Sequence, residues 1–175
     1  PGTVDGWFAA HERFGKLPMS DVLAPTVRYA REGFPITPVI AFYFGRNLAA
    51  FRAQEVLIEE LDNAAAIWFP HGATPQAGDV FRNPDLANTL ELLGEGGRAA
   101  FYEGKLAEAM DAYFKRIGAD MRLEDLVAHE GDWVTPGSVH YHGYDVYELP
   151  PNGQGFAALQ MLNILKQSDL REYPR

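Results

Sequence analysis

The chain has 175 residues, of which 47% are apolar and 13% aromatic; it has no cysteine and a formal net charge of −9. This length and composition indicate a globular protein with one sizeable core, and they exclude a disordered chain, a disulfide scaffold and thiolate catalysis. The negative charge argues against nucleic acid and anionic membranes as partners, because no basic stripe can neutralise phosphates. No apolar run approaches the roughly 20 residues of a membrane span.

Helical signals dominate the first part of the chain. The sequence predicts a turn over residues 1–6 and a helix over residues 7–14. A second helix is predicted with Ser20 as its N-terminal cap and Gly33 as its end. Pro25 inside this helix predicts either a kink or a helix that starts only at Pro25.

A longer helical tract is predicted next. Thr37 caps the tract and Pro38 opens it, and the apolar pattern reaches about Asn63 with a break near Arg52. A short helix is then predicted to restart at Asp62 or Asn63.

Three further helices follow in the sequence. Asn83 is predicted to cap a helix whose leucine stripe ends before the glycines at 94–97. Apolar residues recur at helical spacing over 106–117, and Gly118 provides the end of that helix. One more short helix is predicted to begin at Leu123.

The only convincing β region covers residues 133–149. Apolar and polar residues alternate on both sides of His142–Gly143, a pair suited to a two-residue hairpin turn. The alternation sets two predicted cross-strand pairs: Val139 with Val146, and His140 with Asp145.

A glycine-containing loop joins this hairpin to the last helix. Pro150–Pro151 must end the strand, because proline cannot donate a ladder hydrogen bond. Asn152, Gly153, Gln154 and Gly155 follow, and the helix over 156–165 is apolar on most faces, which predicts that it is buried. Two interpretations remain open: a turn that lets the helix pack on the sheet, or a loop that borders a ligand pocket. The loop lacks the spacing and the lysine of a nucleotide-binding loop.

Residues 149–155 followed by 159–165 resemble the γ-glutamyltransferase (γ-glutamyltranspeptidase) family of N-terminal-nucleophile (Ntn) hydrolases. This chain has Asn-Gly-Gln-Gly where the family usually has Ser-Ser-Gly-Gly. Further segments resemble the family's large chain in the same order: Pro1–Gly6, Phe14–Pro18, Leu23–Pro25, Arg31–Pro35, Arg82–Ala87, Phe101–Gly104 and Glu124–Leu126.

The resemblance implies an α+β fold that is predominantly helical and forms part of the αββα Ntn-hydrolase fold. Residues 1–130 are expected to form a helical lobe, and residues 131–175 a β-hairpin, a strand–loop–helix unit and the buried helix. Together they are expected to be one segment of a larger domain, the C-terminal half of the large chain. Both ends of the sequence look cut, so we expect a piece of a longer protein.

The residues themselves provide no catalytic or metal-binding constellation. His140 and His142 lie on one side of a strand, but spacing fixes no third ligand, so no metal is predicted and a surface pair between His140 and Asp145 is favoured. The acid pairs Glu59–Glu60 and Glu124–Asp125 are expected to be solvated surface, because neighbouring helix positions diverge. No cofactor is predicted.

The resemblance also implies that the catalytic residues lie outside this chain. The family's nucleophile is a threonine that becomes the N-terminus of a small chain after self-cleavage, in a Thr-Thr-His-x-Ser type of context that no threonine here has. Arg31–Glu32 lacks the context of the family's carboxylate-binding arginine. The implied partner is the small chain of the same precursor, and the implied substrate is a γ-glutamyl compound. The loop over 152–155 is predicted to lie beside the pocket.

The sequence therefore predicts a piece of an enzyme that hydrolyses or transfers γ-glutamyl groups, as in glutathione-type amides. The alternatives are a non-catalytic helical scaffold or interaction module, or a degenerate or acylase-type relative, for example one similar to cephalosporin acylase. Residues 1–175 alone are predicted to be inactive. They are also expected to self-associate, because the apolar helix over 156–165 needs a partner surface.

Overall fold

A computed structural model describes residues 2–54, 61–69, 72–150 and 152–168. Contacts divide the chain into two compact units, Pro1–Gly131 and Asp132–Arg175. The helices are α1 (Gly2–Phe14), α2 (Met19–Glu32), α3 (Pro38–Ala53), α4 (Leu61–Trp68), α5 (Pro84–Tyr102), α6 (Lys105–Ile117), α7 (Leu123–Val127) and α8 (Gly155–Leu165). The strands are β1 (Phe34–Pro35), β2 (Val80–Phe81), β3 (Gly137–Tyr141) and β4 (Tyr144–Glu148). The prediction of a predominantly helical chain is confirmed.

Helix α5 is the centre of the first unit. It packs most extensively on α2 and also contacts α1, α6 and α7. The buried residues of this core are Val4, Leu90, Leu93 and Tyr102. Apolar residues from α1, α2 and α6 pack around them. The first unit is therefore a helical assembly built on one long helix.

The segment α5 continues beyond the glycines at 94–97, but its backbone leaves the helical conformation among them. The helical segment runs to Tyr102, with a kink at Gly97, where φ is 67° and ψ is −162°. A β-carbon on Gly94 would lie only 3.0 Å from the Cα of Ser20, so this glycine lets α2 and α5 approach closely. Local sequence does not distinguish a glycine used for helix packing from one that ends a helix.

Three predicted helix ends are confirmed. The Thr37 hydroxyl accepts a hydrogen bond from the Ile40 amide at 3.3 Å at the start of α3. The Asn83 side chain accepts one from the Leu86 amide at 3.0 Å at the start of α5. Beyond α6, Gly118 adopts the left-handed conformation with φ of 71°.

Two predicted helix starts are wrong. Helix α1 begins at Gly2, because Val4 is part of the core and Asp5 supplies a favourable negative charge in the first turn. Helix α2 begins at Met19 and continues through Pro25, so Ser20 lies inside the helix and Pro18 is the N-cap residue. The carbonyl of Pro18 accepts the first backbone hydrogen bonds instead.

The helical tract after Thr37 ends close to the predicted break. Helix α3 stops at Ala53, one residue after Arg52, and α4 begins at Leu61, slightly earlier than predicted. Residues 55–60 of the predicted tract lie outside the described residues.

The hairpin is confirmed in its turn and its register. Strands β3 and β4 are antiparallel, with Val139 opposite Val146 and His140 opposite Asp145. His142 and Gly143 have φ of 47° and 86°, the positive values of a tight hairpin turn. A second antiparallel pair was not predicted: β1 and β2, with Phe34 opposite Phe81. The sequence gives no local signal for it, because its strands lie more than 40 residues apart.

Helix α8 packs on the hairpin but is not buried, contrary to the prediction. Its Leu159 lies against Gly137 of β3, where an added β-carbon would come within 3.2 Å. No residue of α8 is buried, and Met161 and Ile164 are 58% and 70% exposed. Among the described residues nothing covers that face. Within the described chain, no helix is both long and apolar enough to cross a membrane.

Candidate functional site

The loop over residues 152–155 joins the end of β4 to the start of α8. The Asn152 amide donates to the Pro150 carbonyl at 2.8 Å, and the Ala157 amide donates to the Gln154 carbonyl at 3.0 Å. Asn152, Gly153 and Gln154 are exposed and Gly155 is half-buried. The four predicted residues therefore form one short turn at the N-terminal end of α8, with three of them open to solvent.

The two glycines of this loop have different surroundings. A β-carbon on Gly155 would lie 2.5 Å from Oε2, 2.8 Å from Cβ and 3.0 Å from Cδ of Glu148. No real side chain fits there unless the strand or the helix moves. A β-carbon on Gly153 would meet nothing within 4 Å. Gly155 thus permits a close approach of β4 and α8, as the packing interpretation predicts, whereas packing does not require Gly153.

The electrostatics of this helix end depend on Glu148. Gln154 precedes the helix and makes no side-chain capping hydrogen bond, and the first turn of α8 contains no acidic residue. The Glu148 carboxylate lies against Gly155, the first residue of the helix. Since exposed backbone amides give a helix N-terminus a partial positive charge, this carboxylate has a favourable position.

The histidines of the hairpin do not form a metal site with a third ligand. Nδ1 of His140 lies 2.8 Å from Oδ1 of Asp145, which confirms the expected surface pair. The His142 ring packs edge-on against Tyr141, with centroids 4.3 Å apart. Among the described residues no group of three histidine or carboxylate side chains could hold a metal ion.

Asp125 and Arg31, which belong to charged pairs noted in the sequence, both make hydrogen bonds within the fold. Oδ2 of Asp125 accepts a hydrogen bond from the Arg122 amide at 2.8 Å, so this carboxylate caps α7. Arg31 bridges α2 to α5 through Glu91 at 2.6 Å and Asn88 at 3.1 Å. Glu59–Glu60 lies outside the described residues.

A polar cluster of Asp5, Arg98, Tyr102 and His129 was not predicted. Arg98 donates to Oδ1 of Asp5 and to the His129 carbonyl, and its guanidinium lies 4.4 Å from the centroid of the Tyr102 ring. The Asp5 amide donates to the Tyr102 hydroxyl at 3.1 Å. The Tyr102 and His129 rings stack with centroids 5.2 Å apart. Asp5 lies more than 90 residues from Arg98 and Tyr102 in sequence, so no local pattern could reveal that these groups meet.

Charge complementarity keeps Asp5 ionised. The hydrogen bond from Arg98 lowers the pKa of the Asp5 carboxyl below its usual value, although burial acts in the opposite direction. The same hydrogen bond raises the pKa of Arg98. Burial is the main reason that the pKa of Tyr102 is raised. With Arg98 bound to one oxygen and the Gly131 amide also donating to the carboxylate, Asp5 is a structural anion and has little capacity to act as a base.

Open clefts are present in the first unit. One of about 750 Å³ lies between α1 and residues 127–131, beside the polar cluster. Another of about 410 Å³, between α3 and α4, is lined mainly by aromatic rings, including Trp68. The Trp68 ring also stacks on Phe81, with centroids 5.4 Å apart. A stacked arrangement of this kind is ordinary packing between aromatic rings.

Comparison with known proteins identifies the class of the chain. The sequence model of the Gamma-glutamyltranspeptidase family matches residues 1–175. A Bacillus subtilis protein named Glutathione hydrolase-like YwrD proenzyme is 38% identical over 172 residues. A cephalosporin acylase from Bacillus halodurans has a TM-score of 0.87 at 37% identity, and the Helicobacter pylori gamma-glutamyltranspeptidase has 0.83 at 28% identity. The fold is that of the transpeptidases and acylases of the Ntn-hydrolase class.

The chain belongs to the γ-glutamyltranspeptidase family, so the resemblance found in the sequence is confirmed. It spans only part of its relatives. These comparisons cover 98% of this chain but 31% of the B. subtilis protein, and 97% of this chain but 32% of the acylase and 47% of the H. pylori chain.

Proposed function

We propose that this chain is the C-terminal half of the large chain of an enzyme that hydrolyses or transfers γ-glutamyl groups. The observation that carries this proposal is the match of all 175 residues to the Gamma-glutamyltranspeptidase family. The names of similar proteins, a glutathione hydrolase-like proenzyme and a gamma-glutamyltranspeptidase, support it. The parent would take glutathione-type amides as substrates.

In the proposed reaction, the N-terminal threonine of a partner small chain attacks the γ-glutamyl amide carbonyl. The α-amine of that threonine takes up the hydroxyl proton, the C–N bond breaks, and the leaving amine departs with a proton. Water or an acceptor amine then releases the γ-glutamyl group from the threonine ester. Two of this chain's carboxylates, Asp5 and Asp111, are bound by Arg98 and Lys115. Neither of these two carboxylates is therefore well placed to act as a general base.

Within that enzyme, the loop over 152–155 would border the substrate pocket. The turn is exposed along three of its four residues, while Gly155 fixes its end against Glu148. A solvent-open turn held by rigid elements on both sides is a common way to position binding groups. Gly153 has no packing role in the described structure, which favours a functional reason for a small residue there.

An acylase is the second candidate. The cephalosporin acylase from B. halodurans is more similar to this chain than the H. pylori transpeptidase, both in sequence identity, 37% against 28%, and in TM-score, 0.87 against 0.83. The same threonine chemistry would then release a carboxylic acid from an acylated cephalosporin amine.

The test uses the full-length precursor. Electrophoresis should show its cleavage into two chains, and a γ-glutamyl anilide and an N-acyl cephalosporin should be compared by kcat/KM. The proposal predicts a higher value for the γ-glutamyl compound. A higher value for the cephalosporin would favour the acylase, whereas a precursor that is never cleaved and turns over neither substrate would support a non-catalytic scaffold.

A further inference from the structure

The end of β4 and the start of α8 meet at one point, the contact between Glu148 and Gly155. The Cβ, Cδ and Oε2 atoms of Glu148 all lie within 3.0 Å of the place that a β-carbon on Gly155 would occupy. The Glu148 side chain therefore packs closely against the first residue of α8. This contact joins the end of β4 to the residue that follows the turn at 152–154.

Charge as well as shape favours this position. The first turn of α8 contains no acidic side chain of its own, and Gln154 offers no side-chain cap. The backbone amides at this end attract a negative charge, and Glu148 supplies it from the neighbouring strand. The nearest acid on the same strand, Asp145, is paired with His140 at 2.8 Å and is exposed.

We propose that Glu148 is a positioning residue: its carboxylate, held against Gly155, sets the conformation of the turn at Asn152, Gly153 and Gln154. This inference rests on the proposed function, in which that turn borders the substrate pocket. Glu148 is not a catalytic residue in this account, because it acts on the substrate only through the loop.

The test uses four variants of the full-length precursor. Glu148→Ala removes the packing and the charge, Glu148→Gln keeps the size and removes the charge, and Glu148→Asp keeps the charge. Asp145→Asn is the matched control, since it removes a charge from the same strand without contacting α8. For each variant, hydrogen exchange of the amides over 152–157, the melting temperature, kcat and KM are measured.

We expect Glu148→Ala to raise KM about tenfold, because misplaced binding groups weaken substrate binding. Its kcat should stay within about twofold of wild type, because in this proposal Glu148 affects substrate binding and not the chemical step. Hydrogen exchange of the amides over 152–157 should become faster in Glu148→Ala. Glu148→Gln should show the same rise in KM and the same faster exchange, whereas Glu148→Asp should recover most of the wild-type behaviour. Asp145→Asn should change none of these quantities.

The following results distinguish a failure of this inference from a failure of the proposed function. If wild-type enzyme is active and the Glu148 variants have wild-type KM and exchange rates, the positioning role is wrong and the function stands. A lower melting temperature with an unchanged KM would show that Glu148 only stabilises the fold, and would also overturn the inference. If wild-type enzyme turns over no amide, the proposed function is wrong. Unchanged exchange over 152–157 in Glu148→Ala then refutes the positioning contact by itself, and faster exchange supports it.

Discussion

The sharpest stability prediction concerns Gly155 and its neighbour Gly153. In Gly155→Ala the new methyl group would lie 2.5 Å from Oε2 and 2.8 Å from Cβ of Glu148. The carboxylate end could rotate away from Gly155, with loss of its contact, but the Cβ of Glu148 is fixed to the strand. Either β4 or α8 must therefore move by several tenths of an ångström.

The expected cost follows from overpacking. Forcing an extra carbon into an occupied space destabilises a protein by about 1–3 kcal/mol. Gly155 does not have a positive φ, so the cost is steric and not a matter of backbone conformation. Gly155→Val should be worse than Gly155→Ala, and it should impair maturation or turnover of the parent beyond its loss of stability.

Gly153→Ala is the control in the same loop. It meets no atom within 4 Å and its φ is not positive. Its free energy of unfolding should therefore be unchanged or rise by up to about 1 kcal/mol, since alanine restricts the unfolded chain. Urea denaturation of the full-length protein would measure both variants. Equal stability of Gly155→Ala and Gly153→Ala would refute the argument that Glu148 occupies the space beside Gly155.

Three further predictions concern other parts of the chain. Asp5→Asn should lower the free energy of unfolding at pH 7 by about 1.5–3 kcal/mol, because it removes a charged hydrogen-bond acceptor. The pKa of Asp5 is lower in the folded state, so its contribution to stability is present above the unfolded pKa of about 3.9 and is lost as the pH falls through the folded pKa. A difference in free energy of unfolding between wild type and variant that persists unchanged at low pH would contradict this. Residues 1–175 alone should self-associate in sedimentation experiments, and Ile164→Lys should reduce the association, because Ile164 is exposed on α8. A monodisperse wild-type monomer would contradict this prediction. Chelation should leave the melting temperature unchanged, whereas a loss of several degrees would mean that the His140–His142 pair binds metal.

Features set by neighbouring residues were predictable from the sequence. The caps at Thr37 and Asn83 and the turn at His142–Gly143 each depend on groups within a few positions of one another, and the structure confirms them. The hairpin register follows, because the turn fixes which residues face each other.

Features set by distant residues were not predictable in the same way. The pairing of β1 with β2 and the bond between Asp5 and Arg98 join positions far apart in the chain. The packing role of Gly94 was hidden for the same reason, because this glycine accommodates another helix. The sequence predicted that the apolar surface of α8 packs against a partner surface, but no such surface lies among the described residues.

For the candidate site, the sequence located the loop, and the structure shows how it is held. The pattern of strand, proline pair, glycine loop and apolar helix predicted the four residues over 152–155. Only the structure reveals that Gly155 serves the contact with Glu148, because side-chain contact across a loop depends on backbone geometry. The role of the loop beside a substrate pocket stays a prediction.

The most direct test of the central claim is the rate at which a γ-glutamyl anilide is cleaved by residues 1–175 alone and by the same chain co-expressed with the rest of the protein. The account predicts no activity above background for the chain alone and clear turnover for the co-expressed pair, because it assigns the nucleophile to the partner chain. Cleavage by a monodisperse preparation of residues 1–175 would contradict the account, as would a correctly cleaved pair that leaves the anilide intact.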